Sequence, residues 1–330
     1  MANIKELAEK AGVSPSTASI VVNGKSKERK ISQKTQDKVW KAAKDIGYRP
    51  NISARRLRDQ HTMDNMIIAL YWSSDFRTNL MTRFLQGLQN SVLTQQKNIE
   101  FVIHPYQNDQ LKRAAGIAEI SKYHAAIICN ASNQDLAYLE ETKFPVPVIL
   151  YHRESEYYPY VSVDDEHIGR LAAEVFLSHH RRKALLTGDT TLFPGMQKRI
   201  QGFIEAGNAG KLDTMIYPCG MQMKDGYEFL KEHDGYDCIF ALSDHQAIGM
   251  LRYLMEQQKQ LPDDIELLAV GSADHELEEY AAIPLSVIEL PMEEMAASCL
   301  QLAIQQIEMK ESEQSVLLPV NYIPRKTTKR

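Results

Sequence analysis

The chain has 330 residues, 44% hydrophobic and 25% charged, ordinary globular values that exclude wholesale disorder and a collagen-like repeat. No apolar run reaches the ~18–20 residues that cross a bilayer, and the start, Met1-Ala2-Asn3-Ile4-Lys5-Glu6, lacks the apolar core of a signal peptide. A cytoplasmic protein with no membrane partner is therefore expected. Cys129, Cys219, Cys238 and Cys299 lie far apart with no CxxC, which fits reduced thiols and argues against a zinc ribbon or a disulfide scaffold.

The net charge of −5 conceals an asymmetry. Residues 1–61 hold fourteen Lys/Arg against six Asp/Glu, a net +8, which leaves −13 for residues 62–330. A basic head on an acidic body points to a polyanion partner for the head alone.

Within the head, Ile4, Leu7, Ala8 and Ala11 fall at i, i+3, i+4 and i+7, one apolar face of a short helix that Gly12 ends. Ser14 offers an N-cap oxygen and Pro15 a first-turn proline. The helix that follows, Pro15 to Val22, turns Ala18, Val21 and Val22 inward. Two short helices across Gly12-Val13-Ser14 make a helix-turn-helix. A third helix starts at Ser32, carries Val39, Ala42, Ala43 and Ile46 inward, and stops at Gly47. A recognition helix must be slim and present short polar side chains near its N-terminus to base edges and phosphates. Ser14, Ser16, Thr17 and Ser19 meet that demand.

The segments Ile4-Lys5-Glu6-Leu7-Ala8-Glu9-Lys10-Ala11-Gly12-Val13-Ser14, Thr17-Ala18-Ser19, Val22-Asn23-Gly24 and Gly47-Tyr48-Arg49-Pro50-Asn51 together resemble the DNA-binding head of lac-repressor-type (LacI/GalR) regulators. The resemblance adds Asn23, Tyr48 and Asn51 to the expected DNA contacts. It also implies a short hinge helix in the stretch after Pro50-Asn51, with Leu57 as the residue that wedges into the minor groove. Ala54 is then the small residue at which paired hinge helices approach, and Arg56 lies on the same segment. An apolar wedge costs a few kcal/mol of unstacking, offset by contacts on the bent duplex. So short a helix should order mainly on DNA. Two features depart from the common pattern. Ile20 stands where many relatives carry a base-reading arginine. The loop from Gly24 to Ile31 is longer than usual and similar to the fructose-repressor branch, making Lys25 and Arg29 candidate DNA contacts. Gly24-Lys25-Ser26 mimics the end of a P-loop, but Ser19 occupies the place of its first glycine.

Beyond residue 62, near-continuous apolar runs alternate with helical patterns: 66–71, 100–103, 125–129, 146–150, 183–187, 237–242 and 266–271. Such runs are buried parallel strands with right-handed crossovers. The expected fold is a small all-α helix-turn-helix head on an α/β body of two doubly wound parallel-sheet subdomains. The expected divisions are a head at 1–50, a hinge at 51–61 and an effector-binding and dimerisation body at 62–330. Its subdomains are 62–161 plus 290–320, and 162–289 plus 321–330. Ligands in such folds bind at the carboxyl ends of the strands, here in a cleft between the halves.

The body also resembles the family's effector domain, which is periplasmic-binding-protein-like. The marks are Val163-Asp164-Asp165 with Gly169, Arg199-Ile200-Gln201-Gly202-Phe203, Ala241-Leu242-Ser243-Asp244 and Val270-Gly271-Ser272-Ala273-Asp274. The resemblance implies that Arg199 reaches the ligand, with Ser243, Asp244 and Asp274 beside it. Ala273 replaces a ligand-binding aspartate, a change that would tolerate a more acidic ligand. Ser73 and Asp75 after the first strand, and His152 after the fourth, complete the expected effector contacts. The implied protein is a homodimeric repressor that reads a pseudo-palindromic double-stranded operator and answers to a small effector, a sugar or sugar phosphate.

An enzyme remains the alternative: a metabolite-binding α/β enzyme with an accessory DNA-binding head. Gly-x-Ser-x-Gly, HExxH and GxGxxG are absent, and His179-His180 is a poor chelate. No catalytic residue, metal or cofactor is expected.

Overall fold

The computed structural model describes residues 4–22, 26, 29–46, 65–74, 80–95, 98–188, 193–271, 275–308 and 315–329. Two compact units divide at Asn65/Met66.

The first unit is helical. α1 (Ile4–Ala11), α2 (Pro15–Val22) and α3 (Gln33–Asp45) enclose a small core of Leu7, Ala8, Ala18, Val21, Val39 and Ala42. Gly12, at φ +65°, turns the chain out of α1. Gly12 N–H donates to Glu9 O and Val13 N–H to Ala8 O, the pair of bonds that closes a helix around a left-handed residue. Ser14 then caps α2, its Oγ accepting from Thr17 N–H at 3.1 Å, and Ser32 caps α3 through Thr35 N–H at 3.3 Å.

The second unit holds two six-stranded sheets. The first, in spatial order β11-β5-β4-β3-β1-β2, comprises β1 (Asn65–Ser73), β2 (Asn98–Tyr106), β3 (Ala125–Cys129), β4 (Val148–Tyr151), β5 (Tyr160–Val163) and β11 (Ser315–Leu318). The second, in order β12-β10-β9-β8-β6-β7, comprises β6 (Lys183–Gly188), β7 (Asp213–Pro218), β8 (Cys238–Ala241), β9 (Glu266–Gly271), β10 (Ser286–Glu289) and β12 (Asn321–Ile323). In the second sheet pairing is parallel except for the edge strand β12, which runs antiparallel to β10; in the first, β1–β3, β3–β4, β4–β5 and β5–β11 are parallel.

The apolar runs are continuous because both sheet faces are covered, and the pleat sorts alternate residues into separate cores. In β1, Met66, Ile68, Leu70 and Trp72 face one core while Ala69 and Tyr71 face another. In β9, Leu268 and Val270 oppose Leu267 and Ala269 in the same way. α4 (Met81–Thr94) and α11 (Met292–Ile307) pack together on the first sheet. On the second sheet, α6 (Asp165–Ser178) packs against α7 (Pro194–Gly210), and α8 (Met223–Glu232) against α9 (Asp244–Glu256). The α6–α7 crossing is close because Gly169 has no side chain: a Cβ there would lie 1.8 Å from the Arg199 carbonyl oxygen.

The chain crosses between the sheets three times, from β5 into α6, from β10 into α11 and from β11 into β12. At the second crossing Arg83 of α4 grips Glu293 bidentately, at 2.7 and 2.6 Å, and lies 3.6 Å from Glu289. Its fork therefore holds both ends of the segment that joins the two halves. Five short strands (β5, β7, β10, β11 and β12) lie outside the seven apolar runs of the sequence. They are three to six residues long, and β7 alternates between exposed and partly buried positions as an edge strand does.

Candidate functional site

Parallel register fixes the first wall of the cleft. Trp72, Cys129 and Tyr151 lie abreast in β1, β3 and β4, so Ser73, Asn130 and His152 form the next row at the carboxyl edge of the sheet. Asn130 and His152 adopt left-handed backbone conformations, φ +54° and +56°. Outside glycine such conformations are uncommon, costly and concentrated at functional sites. Both residues line an open cleft at the strand ends, the usual place for a ligand in such folds. Asn130 is 2% exposed. Its Nδ2 and the His152 Nε2 find no hydrogen-bond partner among the described residues.

The opposite wall comes from the second sheet and its helices. Ser243 caps α9, its Oγ accepting from His245 N–H at 3.1 Å. Asp244 is fully buried, and its Oδ1 lies 3.0 Å from His245 Nδ1. That hydrogen bond raises the His245 pKa against the opposing effect of burial. Arg199 projects from α7, while Tyr151, Phe193, Met196, Met221 and Met292 supply apolar surface.

Asp165, the first residue of α6 after the first crossing, joins the two walls. Arg199 Nε donates to Asp165 Oδ1 at 2.7 Å with both side chains 4–5% exposed. His152 Nε2 lies 3.4 Å from Asp165 Oδ2, without hydrogen-bond alignment. Burial pushes the Asp165 pKa up, but the Arg199 guanidinium outweighs it and holds the carboxyl well below the usual carboxylate range. Burial also lowers the His152 pKa despite Asp165, which favours the neutral imidazole. Beside them Arg153 donates to the carbonyls of Ala131 and His152, its guanidinium 5.2 Å from the Phe193 ring centroid.

Of the expected effector residues, His152, Arg199, Ser243 and Asp244 thus share one cleft. Ser73 is buried at the end of β1 and does not line it; Asp75 and Asp274 lie outside the described residues. Arg153, which follows His152 directly after the fourth apolar run and is a ligand candidate on the same ground, lines the cleft as well; Asn130, Tyr151, Asp165 and Phe193 were not singled out as ligand contacts from the sequence. Asn130 carried a usable signal, a polar residue directly after a buried apolar run, the same signal that marked His152.

In the head, Ser14 and Ser16 are exposed and Thr17 and Ser19 partly exposed on α2, opposite its buried Ala18, Val21 and Val22. Arg29 is exposed. Asn23, Lys25, Tyr48, Asn51, Ala54, Arg56 and Leu57 lie outside the described residues. Among the described residues no cluster of three His, Cys, Asp or Glu side chains could hold a metal ion, and no helix is long and apolar enough to cross a membrane.

A helix-turn-helix head joined to a two-sheet body with a cleft at its strand ends defines a ligand-responsive DNA-binding protein. Residues 3–51 match the family of bacterial regulatory proteins of the lacI type, and residues 172–328 match the periplasmic binding protein-like domain. A LacI family transcription regulator from Clostridium acetobutylicum is 34% identical, with a TM-score of 0.74 over 79% of this chain and 100% of that one. The ribose operon repressor of Bacillus subtilis (strain 168) is 26% identical over 338 residues, covering 100% of this chain and 99% of its own. The lac repressor dimer bound to operator and an anti-inducer shares the fold, with a TM-score of 0.72, 19% identity and 99% coverage of each chain. The chain belongs to the LacI family: it is a DNA-binding transcriptional regulator with a ligand-binding body.

Proposed function

We propose that this regulator is a homodimeric repressor whose grip on a pseudo-palindromic operator is set by a small polar metabolite held between the two sheets. The single observation that carries this reading is the cleft itself. Asn130 and His152 from one sheet face Arg199, Ser243 and Asp244 from the other, and Asp165 ties the two walls beside a crossing strand. A ligand touching both walls favours one relative angle of the halves. Such differential binding is the only way an effector can shift a two-state equilibrium. A tenfold change in operator affinity needs about 1.4 kcal/mol of coupling.

Two heads on a two-fold body would read two half-sites, through Ser14, Ser16, Thr17, Ser19 and Arg29 with Asn23, Lys25, Tyr48, Asn51 and Arg56. Leu57 would supply the central wedge, and Ala54 the close approach of the paired hinges. The dimeric state of the structurally similar lac repressor supports the same assembly. The ligand belongs to the sugars and sugar derivatives, a class supported by the ribose operon repressor's similarity along the whole chain. The protein senses this ligand rather than converting it.

The experiment is selection of bound duplexes from a random library, then operator binding by fluorescence anisotropy with a panel of sugars and sugar phosphates. One preferred pseudo-palindrome, released or recruited by a panel member that is recovered unchanged, is expected. No sequence preference, or consumption of the effective compound, would overturn the proposal.

A further inference from the structure

An anionic effector needs a positive, hydrogen-bond-donating position, and the cleft has one where Arg199 stands beside the first turn of α7. That position already has a counter-charge from the protein itself. Asp165 Oδ1 receives the Arg199 Nε–H at 2.7 Å, and its Oδ2 lies so close to α7 that a Cβ on Gly195 would come within 2.4 Å of it. Gly195 is the second residue of this 17-residue helix, where backbone N–H groups have no intrahelical partner and favour negative charge. The Asp165 carboxylate thus neutralises the positive position from within the wall, while Arg199 and Gly195 themselves line the cleft. It is 5% exposed, with the partly buried His152 beside its other oxygen, so a second anion on Arg199 would meet its charge at close range.

Charge bookkeeping agrees. Arg153 and Arg199 supply two permanent positive charges, Asp165 and Asp244 two negative ones, so these four groups cancel, and His245, which also lines the cleft, is already hydrogen-bonded to Asp244. The remaining polar atoms suit an uncharged partner: the buried Asn130 Nδ2 is a donor in search of an acceptor, and Tyr151, Phe193 and Met292 offer apolar surface.

We infer that Asp165 is a specificity-determining residue, a resident anion that restricts the cleft to uncharged, hydroxyl- or carbonyl-bearing ligands and excludes their phosphate esters and other acids. The inference rests on the metabolite-binding reading above and narrows it. It also replaces the expectation, drawn from Ala273, that an acidic ligand would be tolerated. The structure supplies an acid from a different element, the first turn of α6.

The test uses inorganic phosphate, so it does not depend on knowing the effector. Full-length wild type, Asp165→Ala, Asp165→Asn, Arg199→Gln and the Asp165→Ala/Arg199→Gln double variant are titrated with phosphate by calorimetry at constant ionic strength. Wild type and Arg199→Gln should behave alike, with only weak binding. Asp165→Ala should bind phosphate at least tenfold more tightly than wild type, and the double variant should lose that gain. Where Asp165→Ala fails to fold without phosphate, Asp165→Asn, which keeps an oxygen for Arg199 Nε, carries the comparison. Phosphate binding by wild type that Arg199→Gln weakens tenfold would overturn the inference, as would failure of both Asp165 variants to gain affinity. A second arm compares ribose with ribose 5-phosphate in operator release. Release of the wild type by the ester at lower concentration than by the free sugar also counts against it. If no metabolite alters operator binding, the proposed function falls while the phosphate titration still decides the role of Asp165.

Discussion

Arg199 and Asp165 form a buried ion pair, Nε to Oδ1 at 2.7 Å, between two helices of the same half of the body. The arginine expected from the sequence to reach the ligand thus has a partner within the protein at its Nε, and it lines the cleft. Breaking such a pair by removing one partner leaves a buried charge uncompensated and typically costs 3–5 kcal/mol. Arg199→Ala is therefore expected to destabilise the body by roughly that amount, not merely to silence the metabolite response. Arg199→Gln/Asp165→Asn, which removes both charges, should cost less than the sum of the single changes. Urea unfolding of the four proteins checks this, and strict additivity would contradict it.

Glu278 makes stability depend on pH near neutrality. It is 1% exposed, its Oε1 has no hydrogen-bond partner among the described residues, and Arg325 Nη1 lies 3.3 Å from its Oε2. Burial, then Asp244 and Glu289, raise its pKa to about 7 against the opposing Arg325 and Arg83. Because the folded value lies above the ordinary 4.5, the fold favours the protonated form. The stability this gives is complete below about pH 4.5 and lost as pH rises through about 7, a change of roughly 3 kcal/mol. Glu278→Gln should flatten that slope between pH 5 and 8. Unfolding midpoints across this range decide it, and parallel profiles for the two proteins would dismiss the role.

Asn130 combines a left-handed backbone with a donor that has no partner among the described residues. Glycine adopts that conformation at little steric cost. Asn130→Gly should therefore leave thermal stability unchanged or raise it by up to about 1 kcal/mol. The response to the effective metabolite should weaken at least tenfold. A stable variant with an intact response would remove Asn130 from the ligand site.

Ser14 and Ser16 separate folding from recognition in the head. Ser14 Oγ caps α2, so Ser14→Ala should cost the head about 1 kcal/mol. Ser16 is exposed one residue into the helix, so Ser16→Ala should leave head stability within ~0.5 kcal/mol and lower affinity for the selected operator. Circular dichroism melting and anisotropy titration distinguish the two. Equal operator affinity of Ser16→Ala and wild type would show that Ser16 makes no useful contact.

The head helices were legible because their signals are local. Gly12, Ser14-Pro15 and Ser32 end or begin helices through contacts within five residues, and the bounds of α1 and α2 coincide with those read from the spacing. The two parallel sheets were visible in the buried runs, since burial on both faces demands apolar residues without alternation. The antiparallel edge strand β12 and the short β5 and β10 were not. Three or four residues carry no period, and their places are set by neighbours such as Val163 against Leu318 and Val287 against Ile323.

The linear chain by itself settled that a basic helical reader precedes an acidic α/β sensor, because charge, capping and burial patterns are properties of neighbouring residues. Only the tertiary structure decided what the sensor's cleft contains. Asp165 and Arg199 are 34 positions apart, and Asn130, His152 and Asp244 come from three separate strand ends. Their meeting depends on sheet register and helix packing, long-range contacts that no local window of sequence encodes. The same long-range packing gives the expected ligand-binding arginine an internal partner at its Nε while leaving it on the cleft wall.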